Sequence, residues 1–316
     1  VRLISNIYES VRVERLPANE LGRDFVVGDL HGHYDSFIKL LRAAEFDPKR
    51  DRVFATGDLI NRGPQSEMCL GLLNQPWFHT TLGNHEMCFV VNTCQLENPN
   101  GKSRCEEIAR AAGGNWYLGK EPESRHDLAN QISLLPHVLV VGPASPDRFH
   151  VVHGALSHSL EAFQPIDNYE VDRLEHLSDA YSVIPNLTEH RQLWETRARD
   201  DNATLSLTYS GHTPNACQLR LSQSHLNIDL GAGHPDSPIL GHSRLGLMCH
   251  QTKTLWMVET NHPEAEVLED RDAFYWLNPP AHLISDHPEV FGQGLSGKIA
   301  ALRRSEPAYH GVAREF

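Results

Sequence analysis

At 316 residues the chain has room for one large domain or two modest ones, and 40% hydrophobic with 22% charged residues is the composition of a folded, water-soluble protein. A formal net charge of -13 excludes the broad positive footprint that nucleic acid demands. No run approaches the ~18 consecutive apolar residues of a membrane span. The N-terminal VRLISNIYESVRVERL has no apolar signal core, so a cytoplasmic location without membrane partners is expected. Six cysteines (Cys69, Cys88, Cys94, Cys105, Cys217, Cys249) form no C-x-x-C pair and read as reduced thiols.

Taken in chain order, six short runs rich in Val, Ile, Thr or Phe each stop at a glycine: DFVVGD (24–29), RVFATGD (52–58), FHTTLGN (78–84), RFHVVHG (148–154), LSLTYSGH (205–212) and LNIDLG (226–231). Such runs predict strands. YDSFIKLLRAAEF follows the first at helical spacing, and PQSEMCLGLLNQPWF, after Pro64, follows the second. Strand–loop–helix alternation of this kind predicts an α/β layered fold. Residues 92–135 read as a helical insertion, and 157–204 as a more polar insertion or lid. A catalytic domain over 1–260 is expected, with a Pro- and His-rich extension (261–316) packed on it.

The strand ends carry the chemistry. Asp29 and His31 lie two apart in GDLHGH, Asp58 closes the second run in GDLINRG, and Asn84 and His85 follow the third in GNHE. His153 ends the fourth run and His212 the fifth. Strand carboxyl ends are where open α/β sheets bind ligands. Oxygen and imidazole donors gathered there suit two divalent ions bridged by one carboxylate. Asp58, central in order, is the expected bridge. Asp29 and His31 are expected to complete one ion, and Asn84, His153 and His212 the other.

The ordered set GDLHG–GDLINRG–GNHE resembles the signature of the serine/threonine phosphoprotein phosphatases. The surrounding RLPANELGRDFVVGDLHGHYDSF, QPWFHTTLGNHEM, GGNWYL and NIDLGAG look like the phage lambda phosphatase branch, over roughly residues 15–260. The resemblance implies a β-sandwich flanked by helices. It implies two divalent ions, manganese foremost with iron, zinc, nickel or magnesium as alternatives, and direct attack by a metal-bridging hydroxide. The implied substrates are phosphoserine and phosphothreonine in proteins or peptides, with phosphotyrosine as an addition. It also implies His85 as the general acid and Arg62 as a clamp on the phosphoryl group, with Asn84 beside it. In QLWETRARD, Arg197 is the second phosphate-binding arginine implied, with Arg199 as its rival.

One position departs from the family pattern, which has aspartate where this chain has Asn61. The amide can accept a hydrogen bond from His85 but carries no charge to stabilise an imidazolium. Symmetrical dinucleoside tetraphosphate hydrolases also lack that aspartate, which makes them the alternative reading. A phosphate-binding pseudoenzyme weakened at Asn61 is a third.

Overall fold

The computed structural model describes residues 2–96, 102–158, 164–176, 180–189, 204–214, 219–236, 241–262 and 264–274; Arg197 and Arg199 lie outside them. The described strands are β1 (Val13–Leu16), β2 (Asp24–Val27), β3 (Arg52–Ala55), β4 (Phe78–Thr80), β5 (Val138–Val141), β6 (Phe149–Val152), β7 (Leu207–Ser210), β8 (Arg220–Ser222), β9 (His225–Asn227), β10 (Arg244–Cys249), β11 (Leu255–Glu259) and β12 (Leu268–Asp270). They form two 6-stranded sheets, one ordered β1-β5-β6-β7-β9-β8 and the other β12-β11-β10-β2-β3-β4. The described helices are α1 (Arg2–Tyr8), α2 (Tyr34–Ala43), α3 (Ser66–Gly71), α4 (Asn84–Gln95), α5 (Lys102–Ala111), α6 (Asn115–Leu118), α7 (Pro122–Ile132), α8 (Asn168–Val171) and α9 (Ala180–Glu189).

Alternation along each strand explains the layering, because successive side chains leave opposite faces of a sheet. Phe25 and Val27 of β2 enter one apolar cluster with helix residues, while Val26 enters a second cluster between the sheets. The same division places Val53 and Ala55 against Phe54, Val138 and Val140 against Leu139, and Trp256 and Val258 against Met257. Both faces are dry, which is why the strands read as continuous apolar runs rather than alternating ones. The sheets meet through Phe54 of β3 and Phe149 of β6, whose rings cross edge-on at 5.4 Å. On the outer side α2 buries Phe37, Leu40 and Leu41 and packs over β10 and β11. Each such side chain contributes about 1.5–3 kcal/mol on full burial.

The six expected strands correspond to β2, β3, β4, β6, β7 and β9. Parallel pairing joins β2, β3 and β4, and also β6, β7 and β9, so these strands deliver their carboxyl ends in common directions. The sequence reading had no strand at β10, although β10 pairs antiparallel with β2 in the middle of its sheet. Its RLGLMC has no β-branched residue and a glycine inside it. β12 belongs to the segment after 260 and pairs with β11. Among the described residues no helix is long and apolar enough to cross a membrane.

Candidate metal centre

The segments that leave β2, β3, β6 and β7 converge, and their backbone is forced into unusual shapes. His31 (φ 40), Asp58 (φ 47), Asn61 (φ 72), Arg62 (φ 64) and His212 (φ 67) all adopt left-handed conformations without being glycine. Such residues cost on the order of 1–3 kcal/mol each and persist where surrounding contacts over-determine them. Here they do. The His31 amide donates to the Asp58 carbonyl at 2.8 Å and the Gly63 amide to the His31 carbonyl at 2.8 Å. Buried Glu86 closes the arrangement by accepting from the amides of Asp58 (2.8 Å), Leu59 (2.9 Å) and Gly83 (3.1 Å). Burial and the adjacent Asp58 push its carboxyl up to about 8, against those donors.

Two glycines permit the close approach. A Cβ on Gly211 would run into Asp29 Oδ1, and one on Gly83 into Asp58 Oδ1. Asp29 accepts from Thr56 Oγ1 at 2.8 Å and from the His212 amide at 2.9 Å, while Asp58 accepts from the His85 amide at 2.9 Å. The carboxylates are thereby aimed rather than merely gathered.

Asp58 faces both halves of the cluster. Its Oδ2 lies 3.5 Å from His31 Nε2 and its Oδ1 3.5 Å from His153 Nε2. Two groups share it, Asp29–Asp58–His153 and His31–Asp58–His85, each with ligand atoms within 4.8 Å of one another. Asn84 Oδ1 joins the first at 2.9 Å from His153 Nε2 and 2.9 Å from His212 Nδ1. The structure thus brings together Asp29, His31, Asp58, Asn84, His153 and His212. Around the shared Asp58, Asp29 lies near His153, and His31 lies near His85.

The donor set fits divalent ions for a reason visible in the hydrogen bonds. His31 Nδ1 donates to the Ile60 carbonyl at 3.0 Å, and His153 Nδ1 to the Thr56 carbonyl at 2.8 Å. A carbonyl only accepts, so in each neutral ring the Nε2 lone pair points at carboxylate and amide oxygens. Acceptors facing acceptors call for a cation between them, and imidazoles that donate to backbone carbonyls are the usual support of metal ligands. The acids add to the deficit. Asp29 is pushed well above the usual carboxylate range by burial and by Asp229 and Asp58; Asp229 is pushed by burial to about 6. Burial moves His31 the other way, toward its neutral form.

At the rim, Arg62 is exposed and its Nη1 donates to His234 Nε2 at 2.6 Å. His85 lies against His31, with ring centroids 4.7 Å apart, and its Nε2 is 3.9 Å from Asp58 Oδ2. Asn61 corrects the sequence reading. Trp116 Nε1, which can only donate, reaches Asn61 Oδ1 at 2.9 Å, so the amide nitrogen faces His85 Nδ1 at 2.9 Å. Asn61 therefore donates to the imidazole instead of accepting from it. The neutral His85 ring must carry its proton on Nε2, and burial holds the ring below its ordinary pKa.

Sequence reasoning passed over Trp116, Asp229, Glu86 and His234 as functional residues. Trp116 and Asp229 stood in view within GGNWYL and NIDLGAG, and Glu86 within GNHE, but partners 55 residues apart in sequence, as Trp116 and Asn61 are, leave no local pattern.

Comparison with known proteins gives the same direction. The calcineurin-like phosphoesterase family matches residues 25–243, more than half of the chain. Serine/threonine-protein phosphatase 2 of Escherichia coli strain K12 is 34% identical over 42% of this chain and 58% of its own length. Serine/threonine-protein phosphatase 1 of Salmonella typhimurium is 44% identical over 33% and 44%. The symmetrical bis(5'-nucleosyl)-tetraphosphatase of Aggregatibacter actinomycetemcomitans is 30% identical over 54% and 58%. The chain thus spans about half the length of these relatives. Among solved structures, a serine/threonine phosphatase from Saccharomyces cerevisiae is 16% identical, with a TM-score of 0.44 over 85% of this chain and 86% of that one. Oxygen and imidazole donors converging on one shared carboxylate suit metal-assisted hydrolysis of phosphate esters, and the chain belongs to the calcineurin-like phosphoesterase family.

Proposed function

We propose that the protein is a metal-dependent phosphoprotein phosphatase, hydrolysing phosphoserine and phosphothreonine in proteins or peptides. The observation that carries this reading is the exposed Arg62 at the rim of the buried Asp/His cluster, where a phosphorylated side chain on a macromolecule can reach it. Asp29, His31, Asp58, Asn84, His153 and His212 would hold two divalent ions, with manganese as our choice. When bound, such ions supply Lewis acidity that polarises the phosphoryl group and activates water. Arg62 would bind phosphoryl oxygens through paired, charge-assisted hydrogen bonds. His85 presents Nε2–H to the oxygen that leaves.

Asn61 favours a second reading. A His85 ring held neutral by an amide donor is a weak proton source for an alkoxide, yet adequate where the leaving group is a phosphate needing no proton. A relative named as a symmetrical tetraphosphatase is in keeping with this. Protein stripped of metal and reloaded with manganese separates the two on a phosphoserine peptide, a phosphotyrosine peptide and diadenosine tetraphosphate. We expect the phosphoserine peptide to be hydrolysed; activity confined to the nucleotide would replace the first reading with the second.

A further inference from the structure

A second group of metal-binding side chains lies outside the buried centre. Asp236 follows the Gly231–His234 turn, His242 precedes β10 and His262 follows β11. The antiparallel register that sets Arg244 opposite Glu259 brings the flanks of that hairpin side by side, which is how His242 and His262 meet. Asp236 Oδ2 lies 2.9 Å from His242 Nδ1 and 2.9 Å from His262 Nε2, and the two rings stand 5.2 Å apart at 81°. Ligands bonded at 2.0–2.1 Å to one ion are separated by roughly 3 Å, which is the spacing from Asp236 Oδ2 to each imidazole, and the three ligand atoms lie within 4.8 Å of one another.

The carboxylate is aimed by its other oxygen. Asp236 Oδ1 accepts from the Ser243 amide at 2.9 Å and from Asn261 Nδ2 at 2.8 Å, leaving Oδ2 to the two imidazoles. His262 Nδ1 has Glu264 Oε1 at 3.7 Å, a carboxylate placed to draw toward the ring N–H once Nε2 is engaged. The three side chains are 30%, 52% and 41% exposed, so an ion here would keep water in its remaining positions.

We propose that Asp236, His242 and His262 form a third divalent-metal site, open to solvent and suited by its two imidazoles and one carboxylate to an ion of zinc's class. This site is separate from the buried centre but mechanically joined to it. The His234 carbonyl accepts from Asn261 Nδ2 at 3.0 Å, and His234 Nε2 accepts from Arg62. An ion at Asp236 ties the segment carrying His234 to the β10–β11 hairpin and so holds His234 against Arg62. Binding needs the Nδ1 of His242 and the Nε2 of His262 as lone pairs, and each ring keeps its proton on the opposite nitrogen.

Cobalt(II) is a suitable probe because its visible absorption reports its ligands. The metal-stripped full chain is titrated with cobalt as wild type, as His242→Ala/His262→Ala and as Asp236→Asn, with circular dichroism confirming the fold. We expect wild type to bind one equivalent more than either variant. Equal stoichiometry in all three overturns the site and leaves a hydrogen-bonded surface cluster. An Asp58→Asn chain should retain an outer cobalt band that His242→Ala/His262→Ala then abolishes. A folded Asp58→Asn chain with no such band overturns the proposal independently of the buried centre.

Discussion

Because the indole of Trp116 occupies the Asn61 oxygen, the amide can turn its acceptor toward His85 only by giving up that bond. An aspartate at 61 would accept from both neighbours at once, placing a proton on His85 Nδ1 and stabilising the imidazolium. Asn61→Asp is therefore expected to raise kcat on a phosphoserine peptide by about tenfold or more, within the ~10²–10⁴ that general acids contribute. Turnover of p-nitrophenyl phosphate should hardly change, since its leaving group needs no proton, and equal gains on both substrates would dispose of the general-acid role. Trp116→Phe removes the restraint on the amide. Combined with Asn61→Asp it should be non-additive by about 0.5–3 kcal/mol in activation free energy, as residues in one hydrogen-bonded chain are. Simple additivity would separate Trp116 from His85.

Local elements carry their own tests. Gly211→Ala sets a methyl group against Asp29 Oδ1 just beyond β7, so we expect loss of metal binding with the sheet retained, measured by metal content beside circular dichroism. Immediately before β5, His137 accepts from the Arg12 amide at 3.0 Å, while its Nε2 donates to the Ile7 carbonyl at 3.3 Å. Burial, with Arg12 nearby, lowers this imidazole to about 3. The unfolded chain protonates its histidine near 6.5 and the folded chain does not, so stability is present above 6.5 and falls as pH drops toward 3. One such histidine loses about 2 kcal/mol between pH 7 and pH 5. Denaturant titrations of metal-free wild type and His137→Gln at both pH values should show a shallower pH dependence in the variant; parallel curves would acquit His137.

What the sequence showed at this scale follows from range. β2, β3, β4, β6, β7 and β9 announce themselves locally, through β-branched runs cut off by glycine. β1 is VERL, half charged and at a sheet edge, and its pairing with β5 rests on a partner more than a hundred residues away. The candidate metal-binding side chains were legible because each lies at or just beyond the end of a strand. How the two sheets face each other was not, since that rests on contacts between residues far apart in the chain.

At the scale of the molecule, Asp29, Asp58 and Asn84 come from the end of one sheet and its following helix, while His153 and His212 come from the other sheet. Ions bound among them would join two layers already in contact through apolar residues such as Phe54 on Phe149 and through hydrogen bonds such as that from His153 to the Thr56 carbonyl. Ligand that binds only the folded state stabilises it by about 4 kcal/mol at a thousandfold excess over Kd. Stripping metal should therefore lower Tm by several degrees, and manganese should restore it in wild type but not in Asp58→Asn. An unchanged Tm on stripping would mean that the cluster holds no tightly bound ion.

The Trp116 contact also reaches beyond this one protein. Residues 102–132 are separate in sequence from the strands that carry the Asp/His cluster. Yet Gly113 packs its backbone on that of Arg62, leaving no room for a side chain, and Trp116 supplies the donor that orients Asn61. Exchanging this segment between relatives would transplant a proton address along with any recognition surface. Chimeras should inherit leaving-group preference from the donor of the helices, not from the donor of the metal-binding strands.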